Sequence, residues 1–412
     1  MSTKGILIIG AGQAGLQIAD SLREFGYQDQ ITMVGDEITA PYQRPPLSKA
    51  FLFGEADEVS LLFRNEKFYQ DNNINLVLND AVVDVSISGQ GGTATTGSGK
   101  VVGFEKMALA PGSTPRKLEI LGSKLDGVLY LRSLADAQDL KSRWGKARSV
   151  VVVGGGFIGL EVAAVATKSG KKVTVLEGAN RMLARAVSPI TSEYFKNMHE
   201  RRGAKIVLDA RISEFIGQDG KVSAVRLEDG TEVAADIVMI GIGVIARTEV
   251  ANMLGLELHN GSILVDEFAQ TSNAMVVAAG DAVMLPNPSG LKGLVRLESV
   301  QNAVDQAKVA ARTLMNIKEP YGALPWFWSD QADIKLQIAG LSAGFDRTVL
   351  RGNPDEDTFS LLYYKSGQLL AIDAVNHVSD FMAVRRCLTA GSNIDPGAAE
   401  DSSVPLKTLI SS

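Results

Sequence analysis

A chain of 412 residues is longer than one hydrophobic core organises, so two or three domains are expected. Apolar residues at 45% and charged residues at 21% exclude a disordered or fibrous chain, and a net charge of −6 without a basic stripe removes the electrostatic footprint of a nucleic-acid binder. The single cysteine, Cys387, excludes an internal disulfide and a Cys-ligated zinc or iron-sulfur site, and it points to the reducing cytosol, so a cytoplasmic location is expected.

The first element is read from GILIIGAGQAGLQIADSLREFGYQDQITMVGDE, which runs from Gly5 as strand, glycine turn, helix and second strand ending in acid. The apolar run Ile6 to Ile9 is too short for a secretion signal and reads as a buried strand. Gly10, Gly12 and Gly15 form G-x-G-x-x-G: the first permits a tight turn, the second lets a diphosphate reach the backbone, and the third lets helix meet strand. The diphosphate would lie at the helix N-terminus, where unpaired N–H groups favour anions. Asp36, 21 positions after Gly15, stands where an acid hydrogen-bonds a ribose, with neighbouring Glu37 as the alternative.

Next comes SISGQGGTATTGSGK, whose Gly, Ser and Thr content predicts a hairpin or flexible loop. The nucleotide pattern then recurs in SVVVVGGGFIGLEVAAVATKSGKKVTVLEGANR, with Gly154, Gly156 and Gly159 and a second strand ending at Glu177. An acid there accepts from both ribose hydroxyls and repels a 2′-phosphate, so NADH is preferred over NADPH, although Arg181 and Arg185 lie close enough to accommodate a phosphate. Two such units 144 residues apart suggest one for a resident flavin nucleotide and one for a diffusing nicotinamide, since a simple NAD dehydrogenase needs only one. The apolar run Ile237 to Ala246 holds two glycines and falls short of the roughly 20 residues of a membrane helix, so no span is expected.

Farther on, TSNAMVVAAGDAVMLP reads as a strand running into Ala279, Gly280 and Asp281, and VRLESVQNAVDQAKVAARTL as a helical stretch that returns the chain to its first domain. After a linker flanked by Pro320 and Pro325, DRTVLRG, FSLLYYKSGQLLAIDAV and NHVSDFMAVRRCLTAG read as strands followed by a helix, an α+β pattern. Trp326 and Trp328 flank Phe327, a spacing more often found in a core than in a redox relay. His199, His259 and His377 form no metal or acid–base constellation, and no metal site is expected.

The chain resembles the oxygenase-coupled, FAD-dependent NADH:ferredoxin reductases, within the glutathione-reductase-like flavoproteins, over nearly its whole length. The resemblance is carried by PYQRPPLSKAFL at 41–52, GGGFIGLEVAA at 154–164, AAGDA at 278–282, VRLESVQNA at 295–303 and PWFWSDQADIKLQIAG at 325–340. It implies an α/β fold of two Rossmann-like dinucleotide-binding domains plus a C-terminal α+β interface domain. The expected division is 1–112 and 245–323 for FAD, 113–244 for NAD and 324–412 for the interface domain.

Carried over position by position, the family's FAD contacts fall on Gly10, Gly12, Ala14, Gly15, Asp36, Arg44, Lys49, Val82, Arg132, Asp281 and Val300. Its nicotinamide-nucleotide contacts fall on Gly156, Ile158, Glu161, Glu177, Arg185 and Gly243. The resemblance further implies that Lys49 lies by flavin N5 paired with Glu161, that Trp328 lines the electron exit while Trp326 packs, and that Arg44 contacts the FAD diphosphate. Hydride would pass from NADH to FAD and leave as single electrons to a small acidic two-iron two-sulfur ferredoxin that feeds a terminal oxygenase, as in hydrocarbon catabolism. Two departures stand out: Ala110-Pro111-Gly112 replaces an Ala-Thr-Gly turn, and Ala246-Arg247 replaces Pro-Asn. Neither is expected to touch the positions that do chemistry.

Three rivals are weighed. Cysteine-dependent disulfide reductases and peroxidases need a reactive thiol early in the chain, and only the late Cys387 exists. A membrane-bound quinone reductase would want an amphipathic anchor, whereas the tail DSSVPLKTLISS is short and polar. A nucleotide-sensing protein related to apoptosis-inducing factor would want a basic surface, which the acidic composition opposes.

Overall fold

The computed structural model describes residues 5–290 and 292–411. The chain forms two compact units: one takes the residues up to Gln43 with Glu58–Thr114 and Ile245–Pro325, the other takes Arg44–Asp57, Pro115–Val244 and the residues from Trp326 on.

In the first unit, strand Ile6–Ile9 is buried along its whole length, as a central parallel strand covered on both faces must be. It pairs in parallel with Ile31–Val34 on one side and Lys106–Leu109 on the other. Ile74–Val77 and Val276–Ala278 extend the sheet to five strands. Helix Gln13–Glu24 turns Ile18, Ala19 and Leu22 into the core and packs beside helix Val300–Leu314. The Gly- and Ser-rich stretch is a hairpin that continues into a third strand: Val82–Ser88, Gly91–Thr96 and Val101–Phe104 pair antiparallel. The last helix starts later than its sequence pattern suggests, because Leu294–Val295 is extended and the Ser299 hydroxyl caps the helix by accepting from the Asn302 N–H.

The second unit repeats this plan. Its parallel sheet runs Lys205–Val207, Lys172–Leu176, Ser149–Val153, Ile237–Ile240 and Val128–Tyr130, so the strand before the glycine turn is again central. Ile212–Gln218, Lys221–Leu227 and Glu232–Ala234 form the matching antiparallel layer. The C-terminal part is an antiparallel sheet ordered Trp326–Gln331, Ile334–Gly340, Gln368–Val375, Thr358–Lys365 and Arg347–Asn353. Helix Val378–Thr389 covers it with Phe381, Val384 and Cys387, and burial pushes the Cys387 thiol above its ordinary pKa.

One carboxyl in this sheet is entirely buried. Asp373 Oδ2 accepts hydrogen bonds from the hydroxyls of Tyr363 and Thr191, while Oδ1 has no partner among the described residues. Burial raises its pKa to about 7 despite those bonds. The folded state therefore keeps a proton that the unfolded chain releases near pH 4, and stability falls as pH rises from about 4 to about 7. Buried His199, its pKa lowered, gives the opposite slope below pH 6.5, so the two must be separated. Urea midpoints of the FAD-saturated protein from pH 5 to 8 do this: Asp373→Asn gains on the native protein as pH rises. A constant difference between the two would refute the assignment.

Candidate functional site

In the first unit each glycine of the turn has its own physical reason. Gly10 has φ +113°, and a Cβ there would lie 2.0 Å from the Ala110 carbonyl oxygen. A Cβ on Gly15 would lie 1.9 Å from the Gly10 carbonyl oxygen, so the helix can sit on the turn only as glycine. Gly12 is different: nothing among the described residues lies within 4 Å of its absent Cβ. It caps helix Gln13–Glu24 without a side-chain hydrogen bond, so the first-turn donors face open space. This cradle suits a diphosphate.

The AAGDA turn closes on the same place. Ala14 and Gly280 are in contact, with a Gly280 Cβ placed 3.3 Å from that of Ala14. The Gly280 N–H donates to Gln306 Oε1 at 2.8 Å, and Asp281 Oδ2 accepts from the Ser113 hydroxyl at 3.3 Å. Of the two acids after the second strand, Glu37 accepts from Tyr42 at 2.6 Å and Asp36 pairs with Arg247 at 2.7 Å. Arg247, one of the two departures from the family pattern, thus touches a candidate cofactor-binding residue rather than one expected to do chemistry. Val82 begins the antiparallel layer and packs on the core, and Val300 opens the helix capped by Ser299.

The second unit has the same device. Cβ atoms on Gly154 and Gly159 would fall 2.4 and 2.3 Å from carbonyl oxygens, whereas Gly156 meets only one atom, at 3.9 Å. Gly156 caps helix Phe157–Lys168 without a side-chain bond, and Ile158 in its first turn is exposed. Glu177 accepts from the N–H groups of Gly155 at 2.5 Å and Ala179 at 2.7 Å, which fixes its carboxylate at the turn. Arg181 is used up by the Ala184 and Val187 carbonyls and the Ser192 hydroxyl. Of this pair it is Arg185, exposed, beside Gly243 and without a bonded partner among the described residues, that is left to meet a phosphate.

In the same unit, the proline turn Pro45–Ser48 delivers Lys49 to Glu161, with Nζ 2.8 Å from Oε2. Glu161 is 4% exposed and accepts two further hydrogen bonds: from Ser48 to Oε2 at 2.5 Å and from Ser329 to Oε1 at 2.7 Å. A helix puts residues four apart on one face, and Phe157 and Glu161 so placed meet strand Trp326–Gln331. The period of two along that strand turns Phe327, Ser329 and Gln331 toward the helix, with the Phe157 and Phe327 rings 4.5 Å apart. Trp326 and Trp328 share the other face at 5.6 Å, and Arg385 covers Trp326 at 4.9 Å. Arg44 donates to the Arg132 carbonyl at 2.8 Å, which ties those two site candidates together. Ser48 and Ser329 were not singled out in the sequence, although the alternation of WFWSDQ already put Ser329 on the face opposite the tryptophans.

Two five-stranded parallel sheets, each with the strand before the glycine turn at its centre, an open glycine cradle at a helix N-terminus and an acid after the second strand of the nucleotide motif, define a two-nucleotide oxidoreductase of the flavoprotein type. The family model for pyridine nucleotide-disulphide oxidoreductases matches residues 4–307 and that for the reductase C-terminal domain matches 326–410, and the chain belongs to this family, whose cofactors are FAD and NAD(H). It is 42% identical to rhodocoxin reductase of Rhodococcus erythropolis over 98% of this chain and 94% of that protein. It is 36% identical to putidaredoxin reductase of Pseudomonas putida over 98% and 96%. Among solved structures, the ferredoxin reductase for the CYP199A2 system of Rhodopseudomonas palustris superposes with a TM-score of 0.95 at 40% identity, covering 99% of this chain and 100% of that one. The reductase in a covalent putidaredoxin reductase–putidaredoxin complex superposes with a TM-score of 0.94 at 36% identity, covering 98% and 97%. Among the described residues there is no helix long and apolar enough to cross a membrane and no cluster suited to a metal ion.

Proposed function

We propose that the chain is an FAD-containing reductase that takes hydride from NADH and delivers electrons singly to a small acidic two-iron two-sulfur ferredoxin serving an oxygenase, in the cytoplasm. The observation that carries this reading is the ion pair of half-buried Lys49 with buried Glu161, in a chain whose one cysteine is shut inside the C-terminal helix packing. Electrons reaching the flavin have no thiol to enter, so they must leave the protein. When bound, FAD accepts hydride at N5 and releases its two electrons one at a time.

The chain's own residues position, charge and shield. Gly10, Gly12, Ala14, Gly15, Asp36 and Asp281 form the cradle for FAD, with Arg44, Val82, Arg132 and Val300 as further contacts. Lys49, held by Glu161, would supply a positive charge to the bound flavin as it is reduced. Gly156, Ile158, Glu161, Glu177, Arg185 and Gly243 receive NADH, and Trp328 lines the exit. The functional stretches are 1–112 and 245–323 for FAD, 113–244 for NAD and 324–412 for the interface. Docking of an acidic ferredoxin through lysines and arginines weakens as salt rises.

Anaerobic stopped-flow mixing with NADH, then with an oxidised plant-type ferredoxin, tests the whole reading: the flavin band bleaches and ferredoxin reduction follows. A colourless protein, or a flavin inert to NADH, sinks it. The nucleotide preference has its own test. Glu177→Ala removes the acceptor for the ribose hydroxyls and the repulsion of a 2′-phosphate, so kcat/KM for NADH drops about tenfold to a hundredfold while that for NADPH holds or rises. An unchanged NADH/NADPH ratio would remove Glu177 from that role.

A further inference from the structure

Behind Glu161 a line of buried polar side chains continues away from Lys49. Ser329 Oγ is 2.7 Å from Glu161 Oε1, Gln331 Nε2 is 3.3 Å from Ser329 Oγ, and His199 Nε2 is 2.8 Å from Gln331 Oε1. None of Ser329, Gln331 and His199 is more than 1% exposed. Burial of three consecutive polar groups is costly unless each is bonded, and here each bond also dictates the next.

An ionised carboxylate only accepts, so the Ser329 hydroxyl must donate to Glu161. Its oxygen then accepts, so Gln331 presents its amide N–H to Ser329. That leaves the Gln331 carbonyl facing the imidazole, which must carry its proton on Nε2. All three hydrogens point toward Glu161. A line of donors with one direction polarises along its length and stabilises negative charge at its end. Burial lowers the His199 pKa and keeps the ring neutral, which preserves the direction.

We propose that Ser329, with Gln331 and His199 behind it, is a positioning residue for hydride transfer: the line fixes the Glu161 carboxylate in place, and Glu161 in turn holds Lys49. The inference rests on the reductase reading given above. The charged groups facing the line are Lys49 at its inner end and Arg202 beside His199, where Arg202 is itself paired with Asp333 and Asp357. Asp330 lies on the opposite face of the strand.

The test is the limiting rate of flavin reduction in single turnovers of the FAD-loaded protein, read against NADH concentration. Ser329→Ala slows the limiting rate about tenfold, because the carboxylate that holds Lys49 has lost a donor. FAD content and the NADH concentration for half-maximal rate stay as in the native protein. Gln331→Leu and His199→Phe, one and two links farther out, slow reduction by successively less, and melting temperatures do not follow that order. A native limiting rate for Ser329→Ala overturns the proposal; should that variant not fold, native rates for both outer variants overturn it instead. A native protein that NADH does not reduce at all overturns the reductase reading rather than the role of the line.

Discussion

Replacing Lys49 with Met slows the reduction of bound FAD by NADH about a hundredfold while FAD stays bound, the size of loss typical when one donor to a developing charge is removed. Met keeps the length and apolar stem of the side chain, so the change is confined to the ammonium and its contacts with Glu161 at 2.8 Å and the Pro45 carbonyl at 3.2 Å. The variant also leaves a nearly buried carboxylate without its counter-charge, which costs about 3 to 5 kcal/mol where a buried pair is broken from one side. Ser48 and Ser329 still donate to it and lessen that cost. The double variant Lys49→Met with Glu161→Gln separates the two effects. Stability returns because no charge is left buried, and the slow reduction persists because the positive charge is still missing. Stopped-flow rates beside thermal melts read both quantities, and a double variant that regains the native rate would show that Lys49 acts only by neutralising Glu161.

The two nucleotide folds were legible because their signals are local. The apolar runs at Ile6–Ile9 and Ser149–Val153, the glycine turns after them and the acids at Asp36 and Glu177 are each fixed by a few neighbouring residues. Helix starts were less legible: VRLES looks continuous with the helix that Ser299 begins, because a cap is a single serine among other polar residues. Side-chain pairings between distant stretches were hardest. Arg247 reads as a surface arginine until it meets Asp36, 211 positions away, and Arg181 and Arg185 look alike until the loop carbonyls absorb one of them. Lys49–Glu161 came from family resemblance, since no spacing rule brings those positions together. His199 carried no signal at all. A lone histidine on an amphipathic helix reads as core, and only its partner Gln331, 132 positions on, gives it a direction.

Glycines that look equivalent in sequence separate by what a methyl group would strike, and this gives the second large effect. In Gly10→Ala the added carbon meets the Ala110 carbonyl at 2.0 Å in a backbone conformation that L residues rarely adopt, so the first unit loses stability whatever is bound. In Gly12→Ala the carbon meets no atom of the described residues within 4 Å. The apo protein therefore melts like the native one, yet FAD affinity falls about a hundredfold or more, because the methyl stands where the diphosphate approaches the backbone. Gly156→Ala repeats the experiment at the other cradle: fold and FAD are retained, and the NADH concentration needed for half-maximal reduction rises about tenfold or more. The two variants thus assign the cofactors to their cradles independently. If Gly12→Ala kept its flavin and lost NADH, or Gly156→Ala did the reverse, the assignment of FAD to the first unit and nicotinamide to the second would be inverted. If neither variant lost a ligand, the open space before each helix would not be where a diphosphate binds.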